Sequence, residues 1–415
     1  MTSRQCYVYV QLPRSLEVVT CGRYERETLS TGGAVGRFVY GRRYRERRDA
    51  APLDPIALPL TDGIVETARL GGVPGAIRDA APDSWGRLVI DRGLGRSDLD
   101  EMDYLLHGPE DRVGALAFGL GKEPPPPTAR FNRIVELSDL REAVRRIEAG
   151  ENPATFPSHL KDLAAPGTSL GGSRPKAVVE EGDSLWVAKF PSKADRWNNA
   201  AVEGAMLALA RHCDIQVPPI RIEKLGGEKV LLVKRFDRER RKTGYVRHRV
   251  LSGLTILDAE ESVTERSRWS YLLLADELQR RSERPREDKA EMFRRMVFNA
   301  LISNADDHPR NHALVARGAT WSLAPAYDLT PHPSFSQERS LALIAGRNGR
   351  AARRSNLLSA APRFGLAEPD AGAIIDKIKK IVAKKWDSEV RREGGSGKDC
   401  DEIRSAFVHE GFEYT

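Results

Sequence analysis

Apolar residues alternate with polar ones, or run in short blocks, in the first part of the chain, and recur at helical spacing further on. Tyr7 to Leu12 and Gly36 to Tyr40 have the period-two pattern of strands, Gly75 to Arg92 reads as a helical run, and Ala115 to Leu120 as a further strand. This is an α+β pattern. Beyond it, Leu137 to Ala149 predicts a charged helix ended by Gly150. Ala177-Val178-Val179 and Leu185 to Phe190 predict a hairpin with glycines at its entry. Asn198 to His212 places Val202, Ala205, Met206, Leu209 and Ala210 on one helical side. Val230 to Val233 reads as a buried strand, and from about Trp269 the pattern turns helical, through Tyr271 to Gln279 and Lys289 to Ser303. The stretch Glu393 to Lys398 reads as a flexible loop before a last short helix.

Four consecutive prolines in Lys122 to Thr128 can neither continue a helix nor donate to a sheet, so this segment predicts an extended linker. The expected organisation is residues 1–121 as an N-terminal α+β subdomain and 122–128 as linker. A strand-rich lobe over 129–236 and a helical lobe over 237–415 follow. At 415 residues more than one compact unit is expected, and no apolar run approaches the roughly eighteen residues of a membrane span. The N-terminus reads as a strand rather than a signal peptide, which predicts a cytoplasmic protein. Cys6, Cys21, Cys213 and Cys400 lack metal-ligand or disulfide spacing. The net charge of +7 is a mild excess. Its clusters, Arg42 to Arg48 and Arg238 to Lys242, are diluted by Glu and read as solvated turns rather than a nucleic-acid groove.

The most specific chemistry lies in Asp306-Asp307-His308-Pro309-Arg310-Asn311 and, seventeen residues after Asn311, Asp328. Phosphoryl transfer needs oxygen ligands for Mg²⁺ and an acceptor beside the incoming hydroxyl; an Asp, an Asn five positions on and a later Asp are how protein kinases supply them. Counting back from Asn311 selects Asp306 over Asp307 as the base. Taken alone, the segment also fits a turn with capping carboxylates. Lys189, ending an apolar strand after the Gly171-Gly172 turn, is placed as a kinase strand lysine that contacts phosphates; alone it also fits a strand-end lysine with its ammonium in water. Glu203 is its candidate helix partner, with a solvated surface carboxylate as the alternative. Successive N–H groups around Gly171 and Gly172 can cradle phosphate oxygens; taken alone, the Gly-Gly pair also fits an ordinary hairpin turn. His308 and His312 are separated by Pro309, which argues against a zinc site on a regular helix and for His308 shaping the loop or touching phosphate.

These motifs together resemble the HipA family, kinase toxins of bacterial type II toxin–antitoxin systems. Asp79 to Arg87 is similar to that family's segment ending in Leu-Pro-Asp-Ser, and Asp111 to Leu116 to its Asp-Ser-Val-Gly-Ala. Ser169 to Lys176 resembles its Ser-x-x-Gly-x-Gln-x-Lys loop, and Val233 to Arg238 its Glu-Arg-Phe-Asp-Arg hinge. Asp306 to Asn311 resembles its Asp-x-His-x-x-Asn, and Ala326-Tyr327-Asp328-Leu329 its metal motif.

The resemblance implies a two-lobed protein-kinase-like fold with an added N-terminal subdomain, and ATP and Mg²⁺ as cofactors. It implies a Ser/Thr protein substrate, an aminoacyl-tRNA synthetase being a first guess, and growth arrest and persistence as consequences. A helix-turn-helix antitoxin is the implied partner, with DNA reached only through it. Asp306 would be the base, Asn311 and Asp328 the metal ligands, and Lys189 a phosphate contact. Gly171, Gly172, Ser173, Arg174, Pro175 and Lys176 would line the triphosphate, Lys234, Arg235 and Phe236 the adenine, and His308 and Tyr327 would join the nucleotide site. Ser169 matches a loop serine that family members phosphorylate. Arg174-Pro175 replaces the family's Gln-x, which removes one loop N–H, and Lys234 stands where Glu is usual. A small-molecule phosphotransferase on the same plan and a nucleotide-binding co-repressor are the alternatives.

Overall fold

A computed structural model of the chain describes residues 2–30, 32–109, 111–126, 131–157, 160, 172–262 and 264–414. They group into two compact units. The first comprises the residues up to Phe190 with Lys234–Leu251 and Val315–Ala319; the second comprises Pro191–Val233, Ser252–Leu314 and Thr320 onward. The compact grouping does not divide at the proline-rich segment expected to act as linker, because side chains from before it and after it pair within the first unit.

The first unit opens with a five-stranded sheet of β1 (Thr2–Gln11), β2 (Val18–Thr28), β3 (Ala34–Tyr40), β4 (Val65–Thr67) and β5 (Leu116–Gly119), in the order β4-β3-β2-β1-β5. In β3 every second residue, Ala34, Gly36, Phe38 and Tyr40, is buried, as the alternation predicts. The single helical run expected over Gly75–Arg92 is instead two helices, Gly75–Asp79 and Ser84–Leu94. Pro82 disfavours helix at the residue before it, and Asp83 restarts the helix as N-cap, accepting the Gly86 N–H at 2.9 Å. Arg4 reaches from β1 to Asp100 and Asp103 at the start of helix Glu101–His107, at 2.8 and 2.7 Å.

Strand β6 (Asn132–Arg133) precedes helix Leu137–Glu148, and β7 (Lys176–Glu181) and β8 (Ser184–Lys189) follow it; β6 pairs parallel and β8 antiparallel to β7. Arg238–Arg241 and Gly244–Arg247 form an antiparallel hairpin. The Arg238 end is no solvated turn: its guanidinium is buried against Asp237.

Buried Asp54 caps a turn, accepting the N–H groups of Ile56 and Ala57 at 2.8 and 3.1 Å. Burial pushes its carboxyl up to about 6. The folded state therefore holds a proton that the unfolded chain releases, and stability is fully present below the ordinary carboxylate range and falls as pH rises toward 6. Asp54→Asn keeps the cap and removes the buried charge. It should stabilise the protein by about 2–3 kcal/mol at pH 8 and change little at pH 4, in urea titrations at the two pH values.

In the second unit, strands Ile220–Leu225 and Glu228–Lys234 pair antiparallel, and helix Asn199–His212 buries most of its length, from Ala201 to Ala210. Its Glu203 is buried, not the solvated carboxylate of the alternative reading. Helix Glu368–Arg392 lies against it, with His212 Nε2 3.0 Å from Glu389. That long helix, not among the expected elements, carries Ile375, Ile378, Val382, Trp386 and Val390 on one buried stripe. Helix Pro285–Leu301 buries Met292, Phe293, Met296, Val297 and Phe298 and leads directly into the candidate chemistry. All four cysteines are buried free thiols; burial raises Cys6 and Cys213 to about 12 and Cys400 to about 11, so none is a ready nucleophile.

Candidate active site

Helix Pro285–Leu301 ends at Ile302, and Ser303 takes a left-handed conformation with φ 52°. Its hydroxyl donates to the Ala406 carbonyl at 2.6 Å, which fixes how the chain leaves the helix. Asn304 N–H closes the helix by donating to Asn299 O at 2.8 Å. The chain then turns through Asp306 to a short 3₁₀ turn, Pro309–Asn311, and enters strand Ala313–Ala316. Gly253 lies directly beneath: a Cβ there would stand 2.5 Å from the Pro309 carbonyl oxygen, and its N–H donates to His312 O. Only glycine permits that approach.

The two adjacent carboxylates have opposite fates. Asp307 is buried, accepts the Tyr271 hydroxyl, and lies 3.1 Å from His312 Nε2. Asn299 Nδ2 donates to Tyr271 at 3.1 Å, and Asn304 Nδ2 donates to Asn299 at 3.1 Å, which extends the network behind the loop. Burial and the neighbouring Asp307 push the Tyr271 hydroxyl far above its ordinary range, so it remains a donor. Asp306, in contrast, is exposed. One carboxylate is a structural acceptor and the other is open to solvent.

Asn311 Nδ2 donates to the Asp306 carbonyl at 3.1 Å, which turns Oδ1 the other way. That oxygen is buried and has no hydrogen-bond partner among the described residues. A buried amide oxygen in this state is what a hard cation takes as a ligand, so the chemistry of the site fits Mg²⁺. Asp328 is half-buried and left-handed, φ 58°, a conformation that short polar Asp tolerates better than most residues. The preceding Tyr327 donates its hydroxyl to the Arg310 carbonyl at 2.7 Å, so the segments bearing Asn311 and Asp328 are joined side by side. Arg295, paired with Glu291 at 3.1 Å, supports the same segment by donating to Ala324 O at 2.8 Å. His308, half-buried, donates its N–H to the Asp306 carbonyl at 2.8 Å and shapes the loop through its backbone.

The remaining predicted residues lie in the first unit. Ser169 and Gly171 fall outside the described residues. Gly172 and Ser173 are exposed, Arg174 is half-buried, and Pro175 and Lys176 are buried. Lys176 is placed unlike a ligand lining a triphosphate: its ammonium is 2.8 Å from Asp83, and the two side chains are only 2% and 4% exposed. Lys189 is half-buried at the end of β8, directly opposite Lys176 in the strand pair.

Lys234 and Phe236 are half-buried, while Arg235 is buried and committed. Its guanidinium pairs with Asp237 at 2.9 Å and donates to the carbonyls of Asp111 and Arg112, and its N–H donates to Leu185 O at 2.8 Å. The arginine side chain is thus committed to partners within the first unit. The residues that sequence reasoning missed are the supports: Tyr271, Asn299 and His312 behind the loop, and Asp83 and Asp237, whose motifs were noted but whose partners were not.

This combination of a kinase-ordered Lys, Asp, Asn and Asp set with mixed sheet and helix defines a two-lobed, protein-kinase-like α+β fold preceded by an N-terminal subdomain. The HipA-like C-terminal domain pattern matches residues 168–386 and the HipA N-terminal domain pattern residues 21–119, and the chain belongs to the HipA family. A chain of the solved complex of the Shewanella oneidensis MR-1 toxin–antitoxin system HipA, HipB and its operator DNA shares the fold, with TM-score 0.67 and 20% identity over 96% of this chain and 94% of that one. Among curated proteins, Y4dM of Sinorhizobium fredii, named as a candidate kinase, is 27% identical over 62% of this chain and 65% of its own length. Y4mE of the same organism, similarly named, is 25% identical over 37% of each. The match thus spans between 37% and 65% of the length of these two relatives.

Proposed function

We propose that this chain is an ATP-dependent kinase that transfers the γ-phosphate to a Ser or Thr hydroxyl of a protein and so slows growth. The observation that carries the reading is the division between Asp307, locked into a buried network, and Asp306, exposed five positions before an Asn whose buried amide oxygen lacks a partner. Asp306 orients the acceptor hydroxyl and takes its proton as the new P–O bond forms and the bond to ADP breaks. Mg²⁺, when bound by Asn311 and Asp328, supplies charge neutralisation on the phosphates. Lys189 adds a further positive charge for the phosphates, and backbone groups at Lys234 to Phe236 meet the adenine.

The resemblance to a chain solved with HipB and operator DNA supports a small helix-turn-helix antitoxin as partner, with DNA engaged through it. Among the described residues no helix is long and apolar enough to cross a membrane. The test is transfer of label from γ-labelled ATP with Mg²⁺ to a bacterial protein extract or to its metabolite fraction. Label in protein that disappears with Asp328→Asn is the expected result. Label in metabolites alone overturns the protein acceptor, and no transfer to either overturns the kinase.

A further inference from the structure

Lys176 and Lys189 stand directly opposite each other on β7 and β8. Paired residues point to the same face of a sheet, where two like charges repel. Asp83, ninety-three residues earlier in the chain, resolves the conflict: its Oδ1 caps helix Ser84–Leu94 through the Gly86 N–H, and its Oδ2 accepts from the Lys176 ammonium at 2.8 Å. Trp85, two residues on, donates its indole N–H to the Lys176 carbonyl at 3.1 Å. The same ammonium donates to the Gly172 carbonyl at 3.2 Å. Gly172 has φ 105°, and a Cβ there would stand 3.0 Å from the lysine nitrogen, so the turn is folded down over the ammonium.

The consequence follows from peptide geometry. In a planar trans peptide the C=O and N–H point in opposite directions. With the Gly172 carbonyl drawn toward Lys176, the Ser173 N–H of the same peptide is turned to the other side, as a donor for an anion above the turn. We infer that Lys176 is a positioning residue rather than a phosphate ligand, and that Asp83 of the N-terminal subdomain, through it, holds the Gly172–Ser173 peptide in the orientation that receives the phosphates of ATP. The N-terminal subdomain is by this contact a working part of the nucleotide site. The inference rests on the kinase reading above and assigns that subdomain a role within it.

Two variants separate the possibilities. Asp83→Asn retains a good N-cap residue while removing the charge, and Lys176→Met retains the aliphatic stem without the ammonium. ATP–Mg²⁺ binding by calorimetry and the steady-state KM for ATP and kcat are measured for the wild type, each single variant and the double variant. Each single variant should raise Kd and KM for ATP about tenfold or more with a smaller change in kcat, and the double variant should be no worse than either. Lys176→Arg should recover most of the affinity. If Lys176 instead bound phosphate itself, Lys176→Met would weaken binding while Asp83→Asn left it unchanged or tighter, and the inference would be wrong. Additive effects would overturn it as well. Wild type that binds no ATP–Mg²⁺ would overturn the kinase reading and this inference together. Wild type that binds while both variants match it overturns the inference alone.

Discussion

Replacing Asp306 by Asn should lower phosphoryl transfer by about 10²- to 10⁴-fold, the usual contribution of a positioned proton acceptor, and leave the melting temperature within about 2 °C of wild type. The side chain is exposed, so the substitution creates no buried defect. Asp307→Ala should behave differently. It strands the Tyr271 hydroxyl and His312 Nε2 in a buried setting, with a cost of about 1–3 kcal/mol for each group left unsatisfied. A fall of several degrees in melting temperature is expected, with any activity loss arising from a loosened loop. Thermal melting and labelled-phosphate transfer on the same preparations decide the matter. An active Asp306→Asn protein, or an Asp307→Ala protein as stable as wild type, would reverse the assignment of the two carboxylates.

Asp237→Ala should be the most destabilising single change in the first unit. Burial alone would raise the Asp237 carboxyl, but Arg235 and Arg238 overcome that and hold it well below the ordinary carboxylate range. Asp237 pairs with both at 2.9 and 2.6 Å and also accepts the Gly114 N–H at 2.9 Å. Removing it takes from two buried guanidinium groups the carboxylate they pair with, and from an amide its acceptor; losing one partner of a buried ion pair costs about 3–5 kcal/mol. Because the folded carboxyl sits below the unfolded value, this stability is complete above the ordinary carboxylate range and is lost only as pH falls toward the depressed folded value. The urea midpoint of Asp237→Ala at pH 7 should drop accordingly, and a change below about 1 kcal/mol would show that Gly114 and the arginines hold this region without it. Since Gly114 and Asp111 belong to one motif and Arg235 to Arg238 to another, the loss should also disturb the hinge.

Local signals carried far in this chain. The alternation read over Gly36 to Tyr40 reappears within strand Ala34–Tyr40 with every second residue buried, and the helix over Leu137–Glu148 ends just ahead of Gly150. The break at Pro82 was also written locally, in a proline followed by an N-capping Asp, yet the apolar spacing around it reads as one continuous helix. Helix Glu368–Arg392 shows how a long amphipathic stripe is diluted when charged residues fill the opposite face.

The order of Lys189, Asp306, Asn311 and Asp328 and the family they belong to are properties of the sequence alone, because residue type and spacing survive without coordinates. The spacing to Asn311 already selects Asp306 over its neighbour, but what holds Asp307 in the interior, and which group pairs with Lys176, are not written there. Asp307 is claimed by Tyr271, thirty-six residues before it, and Lys176 by Asp83, ninety-three before it. A buried ammonium or carboxylate takes whatever partner the fold brings within hydrogen-bond reach, and over such separations only tertiary packing decides which partner that is.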